Sequence, residues 1–300
     1  SVRRVRVPGP RGCIYDRRGR LLADNRPAYG LALYLEELRP RRRGEPLVPR
    51  IFATMDEIAA VIGVPPQVST NELRAHIQRR LPLPLIAWRD LPEAAVARWA
   101  EMGTRIAGAD LAVEPVRVYP AGRTACHVLG YVGRADLTAI EEEPYHYHLS
   151  EMSGAAGIEK VYDGLLRGRA GVRLVRVDAA GYRYQDLGGT EPSAGADVRL
   201  TLDLDLQAAA EAALGEHAGA LVALDPEDGA ILALVSRPDY DPSHFVPSIS
   251  AAEWAQLQKD PGRPLFNRAV AGAYAPGSTF KPLVAIAALQ QGRLTPATVH

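Results

Sequence analysis

Ser278 and Lys281 stand three residues apart in the run Tyr274-Ala275-Pro276-Gly277-Ser278-Thr279-Phe280-Lys281-Pro282. A hydroxyl beside an amine is the smallest set that makes an activated nucleophile, because the amine can take the hydroxyl proton as the oxygen attacks. Pro276-Gly277 breaks the preceding chain and an apolar segment follows, so the pattern predicts a helix from about Ser278 to Gln291, stopped by Gly292. Serine is favoured at a helix N-terminus, and residues three apart share a helix face. Pro282 fits only in the first turn, where its missing N–H has no bond to lose; this places the helix start near Ser278. The amine is the difficulty. A lysine ordinarily keeps its proton to about pH 10.4 and must lose about 4 kcal/mol of proton affinity to act near neutrality. The positive end of the helix dipole and desolvation by Phe280 and the Leu283–Leu289 stripe both push that way. On these four residues alone, a plain N-cap followed by a solvated lysine fits equally well.

The elements that must position such a pair belong to a chain of 300 residues, a length that predicts two domains. Lys+Arg and Asp+Glu are both 35, which excludes a strongly basic nucleic-acid binder and an acidic disordered tail. Hydrophobic residues make up 47% of the chain, enough for sizeable cores. Cys13 and Cys126 form at most one bridge, and no disulfide framework or four-cysteine zinc site. His146 and His148 lack a cysteine or carboxylate to complete a ligand set. They are read as a surface loop, and Glu141–Glu143 as a solvated run. No metal and no cofactor is expected. No apolar run approaches the roughly 18 residues that cross a bilayer. The chain opens on Ser1-Val-Arg-Arg without a methionine and reads as a piece cut from something longer.

Strands are expected at Tyr29–Leu35 and Leu111–Val118, and helices at Thr54–Ile62, Asn71–Leu81, Leu91–Met102 and Ile158–Leu166. The Arg- and Pro-rich stretch 39–50 reads as a loop. A hairpin is expected across Ala180-Gly181. The small, polar run Gly188–Gly195 reads as a flexible domain boundary. After it, Leu204–Leu214 reads as a helix, and Gly219–Leu224 with Ala230–Val235 as a hairpin around Asp225-Pro226-Glu227-Asp228-Gly229. Mixed α/β and α+β structure in more than one domain follows from this order.

The run around Ser278, preceded by Asn267-Arg268-Ala269, resembles the active-site region of class B penicillin-binding proteins, and within them the elongation-specific branch. Further segments in one order are similar to the same family: Arg11-Gly12-Cys13-Ile14-Tyr15-Asp16-Arg17-Arg18-Gly19, Arg117-Val118-Tyr119-Pro120, His127–Gly133, Gly157–Asp163, and Leu224-Asp225-Pro226 with Gly229–Ala233. The resemblance implies a serine DD-transpeptidase that cross-links peptidoglycan. Ser278 would be the nucleophile, Lys281 its base, and the Ser278 backbone N–H part of the oxyanion hole. It implies a pedestal over 1–195, with a head subdomain near 41–110, and the first part of a transpeptidase domain over 196–300. Stem peptides and β-lactams would be its ligands, and a SEDS-family, RodA-like glycan polymerase its partner. A single-pass anchor outside this chain would leave the bulk of the protein outside the cytoplasmic membrane. Two departures stand out. No Lys-Thr-Gly occurs, and the only Ser-x-Asn, Ser69-Thr70-Asn71, lies in the wrong place and order. The remaining substrate-binding groups would lie beyond His300, and this polypeptide alone is expected to be nearly inactive. The alternatives are a class D β-lactamase or β-lactam sensor, and a scaffold whose pedestal matters and whose serine is idle.

Overall fold

The computed structural model describes residues 1–39, 46–79, 82–102, 106–135, 147–149 and 151–298. Residues 40–45 of the loop expected at 39–50, Glu141–Glu143 and His146 lie outside the described residues, as do Leu81 and Gly103 at the expected ends of two helices.

Two sheets carry the first two-thirds of the chain. In one, β1 (Val2–Val7) lies between β9 (Gly171–Val177), antiparallel to it, and β7 (Tyr147–His148), parallel to it, with β10 (Arg183–Thr190) beyond β9. The β9–β10 pair is the expected hairpin across Ala180-Gly181. In the other, β3 (Leu21–Leu33) pairs along its length with β5 (Ala109–Val118), and at its ends with β2 (Ile14–Tyr15) and β4 (Leu85–Trp88). Strand β3 begins well before the expected Tyr29. Pro27 stands opposite Pro115 in the ladder, so both missing N–H groups fall at one register position and the strand continues through.

Three helices cap the far end of the second sheet. These are α1 (Leu47–Ile62), α2 (Thr70–Arg79) and α3 (Glu93–Met102). Ile51, Met55, Ile58 and Ile62 form one buried stripe on α1 and pack with Leu31, Leu33, Trp88 and Trp99. Gly63 ends α1 in the left-handed region, φ 72°, with its N–H on the Ala59 carbonyl. The helix starts seven residues before the expected Thr54, because Pro49 falls within the first turn, where its N–H is not needed.

Between these parts lies a smaller unit. It holds α4 (Cys126–Leu129), the pair β6 (Val132–Arg134) and β8 (Met152–Gly154), and the short helices α5 (Gly157–Val161) and α6 (Asp163–Leu166). A buried charge cluster ties it to the rest. Glu159, with no exposed surface, accepts Arg11 Nε at 2.7 Å on one oxygen and Arg117 Nε at 2.7 Å on the other. Arg11 also reaches Asp163 at 2.6 Å and the Glu159 carbonyl at 2.7 Å. Arg117 donates to the Gly12 carbonyl at 2.7 Å. A second acidic centre, Glu151, pairs with Arg6 and, at 3.5 Å, with Arg167. Charges taken this far from water persist only when paired and hydrogen-bonded.

The run Gly188–Gly195 is strapped down rather than loose. The Ser193 N–H reaches the Arg169 carbonyl at 3.0 Å and the Gly195 N–H the Pro10 carbonyl at 2.9 Å. A Cβ on Gly195 would meet the Leu166 carbonyl oxygen at 1.9 Å, so its glycine serves close backbone approach. Strand β11 (Val198–Arg199) then runs parallel to β2.

Helix α7 (Leu204–Leu214) is capped by Asp203 and packs Ala210 and Leu214 on the hairpin of β12 (Gly219–Leu224) and β13 (Ile231–Arg237). Asp16, fully buried just after β2, joins the second sheet to this helix. It accepts the N–H groups of Arg18, Arg20 and Leu204, and Arg20 bridges on to Asp205 at 2.5 Å. The other face of the hairpin, with Val222 and Leu224, is exposed. Helices α8 (Ala251–Lys259), α9 (Arg268–Ala271) and α10 (Lys281–Gln290) follow. No helix among the described residues is long and apolar enough to cross a membrane.

Candidate active site

Ser278 and Lys281 fall on one turn, as their spacing requires, but the turn is not the expected one. Gly277–Phe280 is a 3₁₀ turn, and α10 begins only at Lys281 with Phe280 as its N-cap. Ser278 is therefore not the cap. Proline 282 explains the shift. It has no N–H to offer the Ser278 carbonyl four residues back, so that carbonyl takes the Lys281 N–H instead. With three residues per turn, side chains three apart eclipse one another. The 3₁₀ turn thus sets the hydroxyl and the amine along one edge more directly than an α-turn would.

Both side chains are exposed and neither makes a hydrogen bond or ion pair among the described residues. The apolar wall expected to desolvate the amine is not supplied by Phe280 or by α10. Phe280 is 50% exposed, and Leu283, Val284, Ile286 and Leu289 are exposed around most of the helix. A helix apolar on nearly every side is one built for a core. Ser69, the Ser-x-Asn serine, sits far off as a helix cap: Ser69 and Glu72 exchange hydrogen bonds at the start of α2.

The segment before the turn is anchored to the body of the domain. Asn267 caps α9, its side chain accepting the Ala269 N–H at 3.0 Å. The Arg268 N–H donates to Ser236 Oγ at 2.9 Å, which ties α9 to β13. Close by lies the His127–Gly133 segment. His127 Nε2 donates to the Pro238 carbonyl at 3.0 Å and its ring meets Tyr240 edge-on, with centroids 5.1 Å apart. Burial holds the His127 pKa below the ordinary histidine value, although the Pro238 carbonyl and Asp239 oppose it. Tyr131 stacks on Phe245 at 3.7 Å, and the Tyr240 hydroxyl donates to the Cys126 carbonyl at 2.9 Å. Cys13 and Cys126 are both free thiols, and burial pushes Cys126 up to about 12. Among the described residues no three His, Cys, Asp or Glu side chains cluster as metal ligands.

Residues 6–200 match the family model of the penicillin-binding protein dimerisation domain, and residues 219–300 that of the penicillin-binding protein transpeptidase domain. The chain belongs to the penicillin-binding proteins. It is 34% identical over 301 residues to the peptidoglycan D,D-transpeptidase MrdA of Acinetobacter baumannii, covering 99% of this chain and 43% of that protein. It is 35% identical to MrdA of Escherichia coli K12, covering 98% and 46%. Among solved structures, the penicillin-binding protein PBP2 of Helicobacter pylori in complex with MreC superposes with a TM-score of 0.76 at 28% identity, over 99% of this chain and 54% of that one. A peptidoglycan synthase complex described as coordinating polymerisation and crosslinking gives 0.67 at 32% identity, over 100% and 50%. The chain thus spans about half the length of these relatives. Arg11, Arg117, Glu159 and Asp163 come from three of the separate family segments, and in the fold they are one contact. Spacing could not have revealed this. The hint was charged residues recurring inside otherwise apolar segments.

Proposed function

We propose that this chain is the pedestal and the nucleophile-bearing part of a peptidoglycan DD-transpeptidase that works during cell elongation. In this reading residues 1–195 are the pedestal, with a head near 41–110, and 196–300 open the transpeptidase domain. The observation that carries it is the 3₁₀ turn that sets Ser278 and Lys281 along one edge, within a segment that matches the transpeptidase family.

Ser278 Oγ attacks the carbonyl carbon of the penultimate D-Ala of a stem peptide as its proton passes to Lys281 Nζ. The Ser278 backbone N–H contributes to holding the oxyanion. The C–N bond then breaks, and the terminal D-Ala leaves with the proton from Lys281. An amine of a neighbouring stem peptide attacks the resulting ester, forms the cross-link and returns a proton to Ser278. A β-lactam acylates the same oxygen, but its ring-opened amine stays attached. The other oxyanion donor and the Lys-Thr-Gly element belong to sequence outside residues 1–300. Loss of one oxyanion donor typically costs about 10²–10³ in rate, so this chain alone turns over little. The exposed apolar surface of α10 and of the hairpin fits elements awaiting that remainder.

The pedestal and an anchor outside this chain would engage a SEDS-family, RodA-like glycan polymerase, with the bulk of the protein outside the cytoplasmic membrane. The solved synthase complex and the PBP2–MreC complex among its relatives support a protein partner. Labelling with fluorescent penicillin at the length of the relatives tests the chemistry. Labelling is expected for the wild type and absent for Ser278→Ala. Equal labelling of both would remove Ser278 from the mechanism and leave a scaffold.

A further inference from the structure

Asn267 stands eleven residues before Ser278 and faces two ways. Its side-chain oxygen caps α9 through the Ala269 N–H at 3.0 Å. Its Nδ2 donates at 3.3 Å to the backbone carbonyl of His127, 140 residues earlier in the chain. That carbonyl lies on α4, within the segment matching the dimerisation domain, whereas α9 lies within the transpeptidase match. It is also a fixed point. The Ala125 N–H is held by Glu211 at 2.8 Å, the Cys126 carbonyl by the Tyr240 hydroxyl at 2.9 Å, and the His127 ring by Pro238 at 3.0 Å. On the other side, α9 leads through the short, largely exposed segment 272–277 to the nucleophile turn.

A cap needs only an oxygen, and Ser, Asp and Asn serve about equally. The second bond needs a donor on the same short side chain. Of the favoured cap residues only asparagine carries the acceptor and the donor on two separate atoms; a serine or threonine hydroxyl must do both from one oxygen. We infer that Asn267 is a positioning residue for Ser278: its amide locks α9 to α4 and so sets where the nucleophile turn stands relative to the pedestal. This rests on the function proposed above. Small misplacement of a reacting group is costly to rate even when the site's parts are all present.

The test separates cap from tether in the protein at the length of its relatives. Asn267→Asp keeps a capping oxygen and has no donor for the His127 carbonyl, and Asn267→Ser keeps a capping oxygen but carries its only donor on that same atom, one bond nearer the backbone than the amide nitrogen. Acylation by fluorescent penicillin is followed over a range of concentrations, with Tm measured alongside and Ser278→Ala as reference. The expected result is a limiting acylation rate lowered roughly tenfold or more. The half-saturating concentration and the labelled endpoint should stay near wild type, and Tm within about 2 °C. Wild-type acylation by both variants overturns the inference. So does a loss that follows only the fraction unfolded, since a merely structural residue would give that. If Ser278→Ala still labels, the nucleophile assignment fails and the inference fails with it, a result distinct from the other two.

Discussion

Glu159 is the residue on which the first half of the chain converges. It neutralises Arg11 and Arg117 where no water reaches, with both guanidinium groups at 2.7 Å. Removing one member of such a set leaves uncompensated buried charge, which costs about 3–5 kcal/mol. Glu159→Gln is therefore expected to lower the unfolding free energy of residues 1–300 by that order, read from the urea midpoint at an unchanged slope. The exposed pair Arg26–Asp90, although its closest approach is 2.6 Å, offers the contrast. Arg26→Ala should cost less than about 1 kcal/mol, because water already screens both partners. A Glu159→Gln protein as stable as the Arg26→Ala one would show that the cluster is solvated after all.

Elements with their own punctuation were readable in advance. Helix α7 spans the expected Leu204–Leu214, and the Asp225–Gly229 turn closes as its residue types demand, with the Asp225 N–H on the Ala230 carbonyl at 2.9 Å. What misled was punctuation with a second meaning. The Arg- and Pro-rich stretch 39–50 read as a loop, yet its Pro49 is a first-turn residue of α1, and the strand expected from Tyr29 begins earlier, with Pro27 facing Pro115 in register. The spacing of Ser278 and Lys281 was legible, but the 3₁₀ geometry between them was not, because the consequence of Pro282 for the Ser278 carbonyl appears only once the backbone is built. The run 188–195 read as looseness, but Gly189 and Gly195 lie against backbone, where an added Cβ would collide with the Val172 and Leu166 carbonyl oxygens. That difference can be measured. Gly195→Ala should destabilise residues 1–300 by about 1–3 kcal/mol through backbone displacement. Gly164→Ala, where an added Cβ meets nothing within 4 Å, should change stability by less than about 0.5 kcal/mol. Equal Tm values for the two variants would contradict the strap.

At the scale of the whole molecule, charge balance hides two groups whose titration bears on stability. Burial raises the Asp16 carboxyl, but the N–H groups and guanidinium of Arg20, with the N–H groups of Leu204 and Arg18, outweigh it and hold the pKa below the usual range. A carboxylate lowered on folding adds stability that is present above its unfolded value, about 3.9, and lost as pH falls through the folded one. Burial also lowers His127. Its share is intact above the ordinary histidine value, about 6.5, and erodes as pH falls beneath it. Tm should thus decline in two stages on acidification. His127→Gln, whose amide can still donate to the Pro238 carbonyl, should remove the upper stage, and Asp16→Asn should lessen the lower, which Asp203 and Asp178, also held below the usual carboxylate range by hydrogen bonds, share. A single stage unaffected by either substitution would place the acid sensitivity elsewhere.

The first strand has a long wait. Its neighbours in the sheet are residues 147–148 and 171–177, and the guanidinium of Arg11 closes on carboxylates at 159 and 163. At ribosomal speeds of about 5–20 residues per second, roughly ten to thirty-five seconds pass before the last of these partners has been made. Until residue 147 is made β1 has no ladder, and until residue 159 is made Arg11 has neither of these carboxylates. Pairings this distant also slow the search once all the pieces exist. Newly made chains should accordingly depend on holding factors, and the long-range closure around Glu159 is where that dependence ends.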